Sequence, residues 1–190
     1  MQSTILISDI FIIILVTICG VTDLIQNKIY NVVTYPGVLA AFALSWYAGS
    51  HPDLAPFGIS MGMLGPSGVA RGFLAIFVPM LILYVLGGID AGDVKLMACV
   101  GAWKGAFFAL TTLVYSLLLG SLFGLVVAGY RGELRGILER VFYTLLHSAS
   151  PGMGPTSHLD PDGPRVNLGL AICVSTWITI LSEEWVRTLI

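Results

Sequence analysis

Six apolar stretches alternate with polar segments along this chain of 190 residues. They cover residues 4–23, 32–49, 71–88, 93–103, 105–130 and 166–181. A helix needs about 20 mostly apolar residues to cross a bilayer, and five of these stretches predict such spans. The stretch 93–103 is too short to cross alone, so we expect it to pack as a partial helix among the others. The prediction is an all-α, polytopic membrane helix bundle of about six segments, in a single domain over residues 1–190.

The only long polar region covers residues 131–165 and divides into two parts. In its first half, apolar residues recur with the helical period and arginines lie among them, which predicts an amphipathic helix on the cytoplasmic membrane surface. The second half is rich in proline and glycine and predicts a loop. Of the Lys and Arg residues in the loops, six fall on this side and three on the other, which places this side in the cytoplasm.

Composition narrows the class of protein. Charged residues make up 11% of the chain, hydrophobic residues 56%, and the mean hydropathy is +0.90. Such values exclude a disordered chain, and a net charge of -2 argues against nucleic acid as a partner. The cysteines lie far apart in the sequence, and no pair has metal-ligand spacing. We therefore expect a membrane protein without a metal or other cofactor.

Three aspartates require an explanation, because a carboxylate at membrane depth costs about 2.5–3.5 kcal/mol. Asp23, Asp90 and Asp93 lie near predicted cytoplasmic ends of spans, whereas Asp9 lies near an outer end and is expected to be solvated. Each of two has an ordinary structural interpretation: Asp23 pairs with Lys28, and Asp93 complements the dipole of a short helix. If Asp23 and Asp93 meet instead, repulsion raises one pKa, and the pair shares a proton and activates water.

Two motifs resemble those of the prepilin peptidases, which are membrane-embedded aspartic peptidases with a Gly-x-Gly-Asp motif. In that family an aspartate at the end of the first span precedes Ile-Pro-Asn, and here Asp23 precedes Ile29-Tyr30-Asn31. The family continues Gly-x-Gly-Asp with Val-Lys-Leu, and here the chain reads Asp90-Ala91-Gly92-Asp93-Val94-Lys95-Leu96. Tyr30 replaces the proline, and Asp90 replaces the first glycine. The resemblance implies that Asp23 and Asp93 are the catalytic carboxylates.

Four further residues of the motifs have candidate supporting roles. Gly92 would leave room for the substrate backbone. Asn31 would either form a hydrogen bond near the site or cap a helix. Lys95 would bind an acidic residue or a phosphate, or else place its amine at the membrane interface. Asp90 would raise the pKa of Asp93 or face cytoplasmic water.

The resemblance also implies a substrate and a location. Larger family members carry an extra cytoplasmic domain that methylates the new N-terminus, often with paired cysteines. This chain has neither that insertion nor a Cys-x-x-Cys motif. It is similar to the short, peptidase-only members of Flp/Tad pilus systems, without methyltransferase activity. The implied reaction is cleavage of a prepilin leader at the cytoplasmic face of the bacterial inner membrane, with the prepilin and the lipid bilayer as partners.

Two other functions remain open at this point. A small ion-coupled transporter would use the buried acids as proton sites, and it would be built from paired repeats with broken helices. A non-catalytic membrane subunit of pilus assembly would retain its function after Asp→Asn substitutions.

Overall fold

The computed structural model describes residues 7–51, 64–86, 88–131 and 168–189, and within these ranges all regular structure is helical. The helices are α1 (Ile7–Gln26), α2 (Asn31–Ser50), α3 (Pro66–Val85), α4 (Ala91–Lys104), α5 (Ala106–Arg131) and α6 (Leu168–Leu189). The predicted all-α bundle with one short segment is confirmed. The predicted amphipathic helix and loop at 131–165 lies outside the described residues, apart from Arg131 at the end of α5.

Three of the helices are long and apolar enough to cross a membrane. The spans are Ser8–Gln26 in α1, Pro66–Val85 in α3 and Ala106–Val127 in α5. The helix α3 begins at Pro66, before the predicted start at residue 71, since proline suits the first helical position. Arg71 then lies on an exposed part of the helix, where its guanidinium donates to Ser67 Oγ at 3.3 Å. Of the other helices, α4 has only 14 residues and is too short to cross a bilayer.

The short helix α4 forms the centre of the packing. Its residues from Val94 to Trp103 are almost all buried, as expected for a helix that is apolar on every side. Gly72 of α3 and Gly101 of α4 lie backbone against backbone, and a Cβ atom on either one would collide with the carbonyl group of the other. The buried Trp103 Nε1 donates to the carbonyl oxygen of Gly37 at 2.9 Å and joins α4 to α2.

Two sharp turns determine which helix ends lie together. Asn27 has a φ of 50°, and its N–H donates to the Asp23 carbonyl oxygen at 2.8 Å, so α1 ends in a left-handed cap that asparagine tolerates. Gly105 ends α4 with a φ of 86° and a ψ of 174°, an extended conformation that favours glycine, and its N–H donates to the Gly101 carbonyl oxygen at 2.9 Å. Because residues 27–30 alone join α1 to α2, the last turn of α1 lies beside the start of α2.

Contacts divide the chain into two compact units. The first contains residues 1–117 and 167–190, and it therefore includes every residue of the candidate site. The second contains residues 118–166, and its described part is the helical stretch 118–131. In the first unit α6 packs against α1, and the hydroxyl groups of Thr112 and Thr179 join α5 to α6 at 3.3 Å.

Candidate functional site

The two aspartates of the sequence motifs lie at one place in the fold. Asp23 lies in the last turn of α1, and Asp93 lies in the first turn of α4. Their exposed fractions are only 9% and 6%. The Asp23 charge acts on the Asp93 carboxyl, so the two groups are electrostatically coupled. Of the arrangements that the sequence left open, the structure thus has the one in which the two acids act on each other, and their catalytic role stays a prediction.

The start of α6 completes the surroundings of Asp23. The backbone N–H groups of Gly169 and Leu170 donate to the Asp23 carboxyl group. A Cβ atom on Gly169 would lie 2.8 Å from Asp23 Oδ2, so only glycine allows this close approach. The positive end of the α6 dipole thus faces a carboxylate that lies at the negative end of α1. Sequence reasoning missed both donors, and the only available signal was a glycine at the start of the last apolar stretch.

Ile29 connects the two sequence motifs. A Cβ atom on Gly92 would lie 3.0 Å from Ile29 Cβ, and one on Gly169 would lie 3.0 Å from Ile29 Cδ1. The first motif therefore packs directly on the glycine of the second motif and on α6. In this structure Ile29 takes the space beside Gly92, and the role of Gly92 toward a substrate stays a prediction.

Asn31 and Lys95 form a second contact between the motifs. Lys95 Nζ donates to Asn31 Oδ1 at 2.9 Å and lies 5.2 Å from the centre of the Tyr35 ring. Asn31 is the first residue of α2, and the N-cap position belongs to Tyr30. The alternative that Asn31 caps the helix is therefore wrong, and its side chain holds Lys95 instead.

Tyr30 and Asp90 are the two departures from the family motifs. Tyr30 has a φ of -80°, close to the value of about -65° to which proline is restricted, so the tyrosine preserves the backbone shape. Asp90 is exposed at the N-cap position of α4, and its carbonyl oxygen accepts the Asp93 N–H at 3.1 Å. Asp90 therefore combines both predicted roles, because it faces outward and its charge also acts on Asp93.

The electrostatics favour a proton on Asp93. Burial, followed by the charges of Asp23 and Asp90, raises the pKa of the Asp93 carboxyl to about 7. Near neutral pH this carboxyl is therefore protonated much of the time, while the N–H groups of α6 are available to a negative charge on Asp23. Such a pair has one carboxyl that can give a proton and one that can take a proton.

At the first turn of α1 and the last turn of α4, the structure differs from what the sequence predicted for Asp9. Asp9 was expected to be solvated, but it is 4% exposed and forms an ion pair with Lys104. The expectation is wrong because the last turn of α4 covers the first turn of α1. Among the described residues, no group of three His, Cys, Asp or Glu side chains is arranged to hold a metal ion.

Comparison with known proteins gives one match. The model of the type IV leader peptidase family matches residues 10–128, which is more than half of the chain and includes both aspartate motifs. Comparisons with curated proteins and with solved structures gave no significant match. The matched range contains the coupled carboxyls of Asp23 and Asp93 and the contacts between their motifs. The chain therefore belongs to the type IV leader peptidase family, whose members are membrane aspartic peptidases of the prepilin peptidase kind.

Proposed function

We propose that this protein cleaves the leader peptide of type IV prepilins of the Flp/Tad-like kind at the cytoplasmic face of the bacterial inner membrane, with Asp23 and Asp93 as the catalytic carboxyls. The observation that carries the proposal is the meeting of these two buried acids, which come from motifs far apart in the chain. Burying two coupled acids is costly for folding, and such a cost is typical of functional sites.

The reaction needs one proton on the pair. Asp23, in its ionised form, accepts a proton from a water molecule as the water oxygen attacks the scissile carbonyl carbon. Asp93, in its protonated form, donates its proton to the carbonyl oxygen. As the tetrahedral intermediate collapses, Asp23 gives the proton it took from water to the leaving amine, a hydroxyl proton of the intermediate returns to Asp93, and the C–N bond breaks. The raised pKa of Asp93 supports this assignment, because it keeps a proton available near neutral pH.

The depth of the site suits a membrane-anchored substrate. Asp23 lies three residues from the end of the span Ser8–Gln26, so the carboxyls are near the edge of the apolar region. A prepilin helix in the same bilayer would present the peptide bond at its own membrane edge to these groups. Anchoring both partners at one depth supplies part of the orientation that catalysis requires.

Lys95 is suited to bind an acidic group of the substrate. Its amine is held by Asn31 and by the Tyr35 ring, and it remains partly exposed near Asp93. Since an ammonium group has three N–H donors and one is used by Asn31, the others can bind a carboxylate. Gly92 has no side chain that would fill the space beside Asp93. We assign it the role of admitting the substrate chain once Ile29 moves aside.

The short connection between α1 and α2 supports a peptidase without methyltransferase activity. Residues 27–30 join the two helices directly, and the sequence has no Cys-x-x-Cys motif. The chain thus shows neither the inserted domain nor the paired cysteines that accompany methylation in larger family members.

The test uses purified protein in liposomes with prepilins from the same genome. We expect wild type to cut a Flp-type prepilin, and mass spectrometry to show a new N-terminus without an added methyl group when a methyl donor is present. We expect Asp23→Asn and Asp93→Asn to slow cutting by about 10³-fold or more, whereas the matched control Asp90→Asn, which also removes an acid, still cuts. Cutting by Asp93→Asn at the wild-type rate would overturn the assignment. If a folded wild type cuts no prepilin but moves protons in the same liposomes, the transporter function takes its place.

A further inference from the structure

The buried ion pair at the far end of the bundle has no role in the proposed chemistry. Asp9 and Lys104 are almost fully buried, and their side chains are 6% and 9% exposed. Lys104 Nζ also lies 5.0 Å from the centre of the Phe108 ring, and Phe11 stacks on Trp103 at 4.4 Å. Burying two charges is costly, and a well-packed apolar pair often stabilises a protein as much or more. The presence of a buried pair therefore calls for a function other than stability.

Helix geometry links this pair to the acids of the site. Asp9 and Asp23 are separated by about four turns of α1, and Asp93 and Lys104 by about three turns of α4. Asp9 and Asp23 therefore lie on nearly one face of α1, and Asp93 and Lys104 lie on nearly one face of α4. Because Asp9 meets Lys104 at one end and Asp23 meets Asp93 at the other, α1 and α4 run antiparallel. The contact of Asp9 with Lys104 at one end thus determines how α1 and α4 are rotated and aligned at the end that holds Asp23 and Asp93.

The residues between the two ends cannot fix the register equally well. The fully buried side chains there are apolar or thiol groups: Ile12, Val16 and Cys19 on α1, and Leu96, Met97, Cys99 and Val100 on α4. Apolar contacts are non-directional, so these side chains alone do not select one rotation or one register of α1 against α4. Repulsion between Asp23 and Asp93 favours such a displacement. An ion pair has one geometry of lowest energy, and fixing register is the best-attested role of buried polar groups.

We infer that Asp9 and Lys104 are positioning residues whose ion pair holds Asp23 against Asp93 in the register needed for catalysis. The inference rests on the proposed function. The charges also suit both helices, since Asp9 lies in the first turn of α1 and Lys104 lies in the last turn of α4.

The experiment compares five proteins in liposomes: Lys104→Met, Lys104→Arg, Asp9→Asn, the double variant Asp9→Asn/Lys104→Met, and the control Arg71→Gln. Arg71 is a cation at the predicted outer side that contacts Ser67 and takes no part in the site. Two readouts are used. One is prepilin cleavage with kcat, KM and a pH profile. The other is the distance between nitroxides at Leu24→Cys and Gly88→Cys, two exposed positions that lie next to Asp23 and two residues before Asp90 in the chain.

We expect Lys104→Met and the double variant to lower kcat at least tenfold, with KM within twofold, and to lengthen or broaden the nitroxide distance. The charged groups that act on Asp93 are Asp23 from α1 and Asp90 from the turn before α4. When Asp23 moves away, the high-pH limb of the rate profile moves to lower pH. Lys104→Arg should restore kcat and the profile, and Arg71→Gln should behave as wild type.

The double variant decides the question even if the single variants fold poorly, because it removes both charges of the ion pair together. If it keeps the kcat, pH profile and nitroxide distance of wild type, the pair does not position the acids and the inference is overturned. A loss of folded protein with an unchanged pH profile would also overturn it, since that pattern marks a purely structural pair. If wild type cuts no prepilin, the proposed function fails, and the distance measurement still decides the inference.

Discussion

The two ends of the contact between α1 and α4 are built in opposite ways. At one end Asp9 and Lys104 carry opposite charges and attract each other. At the other end Asp23 and Asp93 are both acids, and the nearby Asp90 adds a third. The first end holds the helices together, whereas the second raises the energy of the folded state. Buried acids held together against repulsion are typical of sites where activity is retained at the expense of stability.

The largest expected effects are a loss of activity from changes at the acidic end and a loss of stability from a change at the other end. We expect Asp23→Asn and Asp93→Asn to lower cleavage by about 10³-fold or more, because each removes a proton-transfer group. Both should unfold at the same temperature as wild type or a higher one, since repulsion is relieved. Asp9→Asn should instead lower the free energy of unfolding by about 3 kcal/mol, because Lys104 is left buried without its carboxylate. Thermal unfolding in detergent measures stability, and the cleavage assay measures activity. If Asp23→Asn unfolds at a lower temperature than wild type, the proposed difference between the two ends is wrong.

The second effect sharpens the description of the acidic end. Gly169→Val should lower cleavage about 10–100-fold, because its Cβ would lie 2.8 Å from Asp23 Oδ2 and displace the carboxyl. Gly65→Val is the matched control, since a Cβ atom there would meet no described atom within 4 Å. The measurement is kcat for both variants at equal amounts of folded protein. Equal losses in the two variants, or full activity of Gly169→Val, would contradict the packing of α6 on Asp23.

The third effect concerns pH. If Asp93 gives a proton in the reaction, the rate falls as pH rises through its pKa of about 7. Because the Asp90 charge helps to raise this pKa, Asp90→Asn lowers it, and the high-pH limb should move to lower pH. Asp90 is exposed, so we expect a shift of only about 0.5 pH unit, which high salt reduces. A pH–rate profile of both proteins at low and high salt measures it. A limb that moves to higher pH would contradict the role of Asp90.

The smallest effect tests the turn that precedes α2. Tyr30 already has a φ of -80°, so Tyr30→Pro requires little change in the backbone. We expect cleavage within about twofold of wild type and a gain in stability of about 0.4–1 kcal/mol, because proline restricts the unfolded chain. Asn31→Pro is the control, since it also removes the amide that accepts from Lys95. Equal behaviour of the two variants would show that the contact of Asn31 with Lys95 does not matter for cleavage or stability.

Sequence alone predicted the helices, and it gave an interaction of Asp23 with Asp93 as one of two interpretations. Apolar stretches have a length and a period that can be read locally, and the two motifs are each continuous in the chain. The contacts missed depend on which helix ends become neighbours. Asp9 and Lys104 are 95 residues apart, and nothing local to either one indicates the other. Gly169 was visible only as a glycine at the start of the last apolar stretch, and its partner is determined by how α6 packs on α1.

The most direct test of the central claim is a double-mutant cycle on cleavage. It measures the residual rates of Asp23→Asn, Asp93→Asn and the variant with both substitutions, all in liposomes and all shown to be folded. If the two carboxyls act as one pair, the second substitution costs almost nothing once the first has been made. The double variant should then be about as slow as either single variant. If instead the losses multiply, or one single variant keeps the wild-type rate, the two aspartates do not form one catalytic unit.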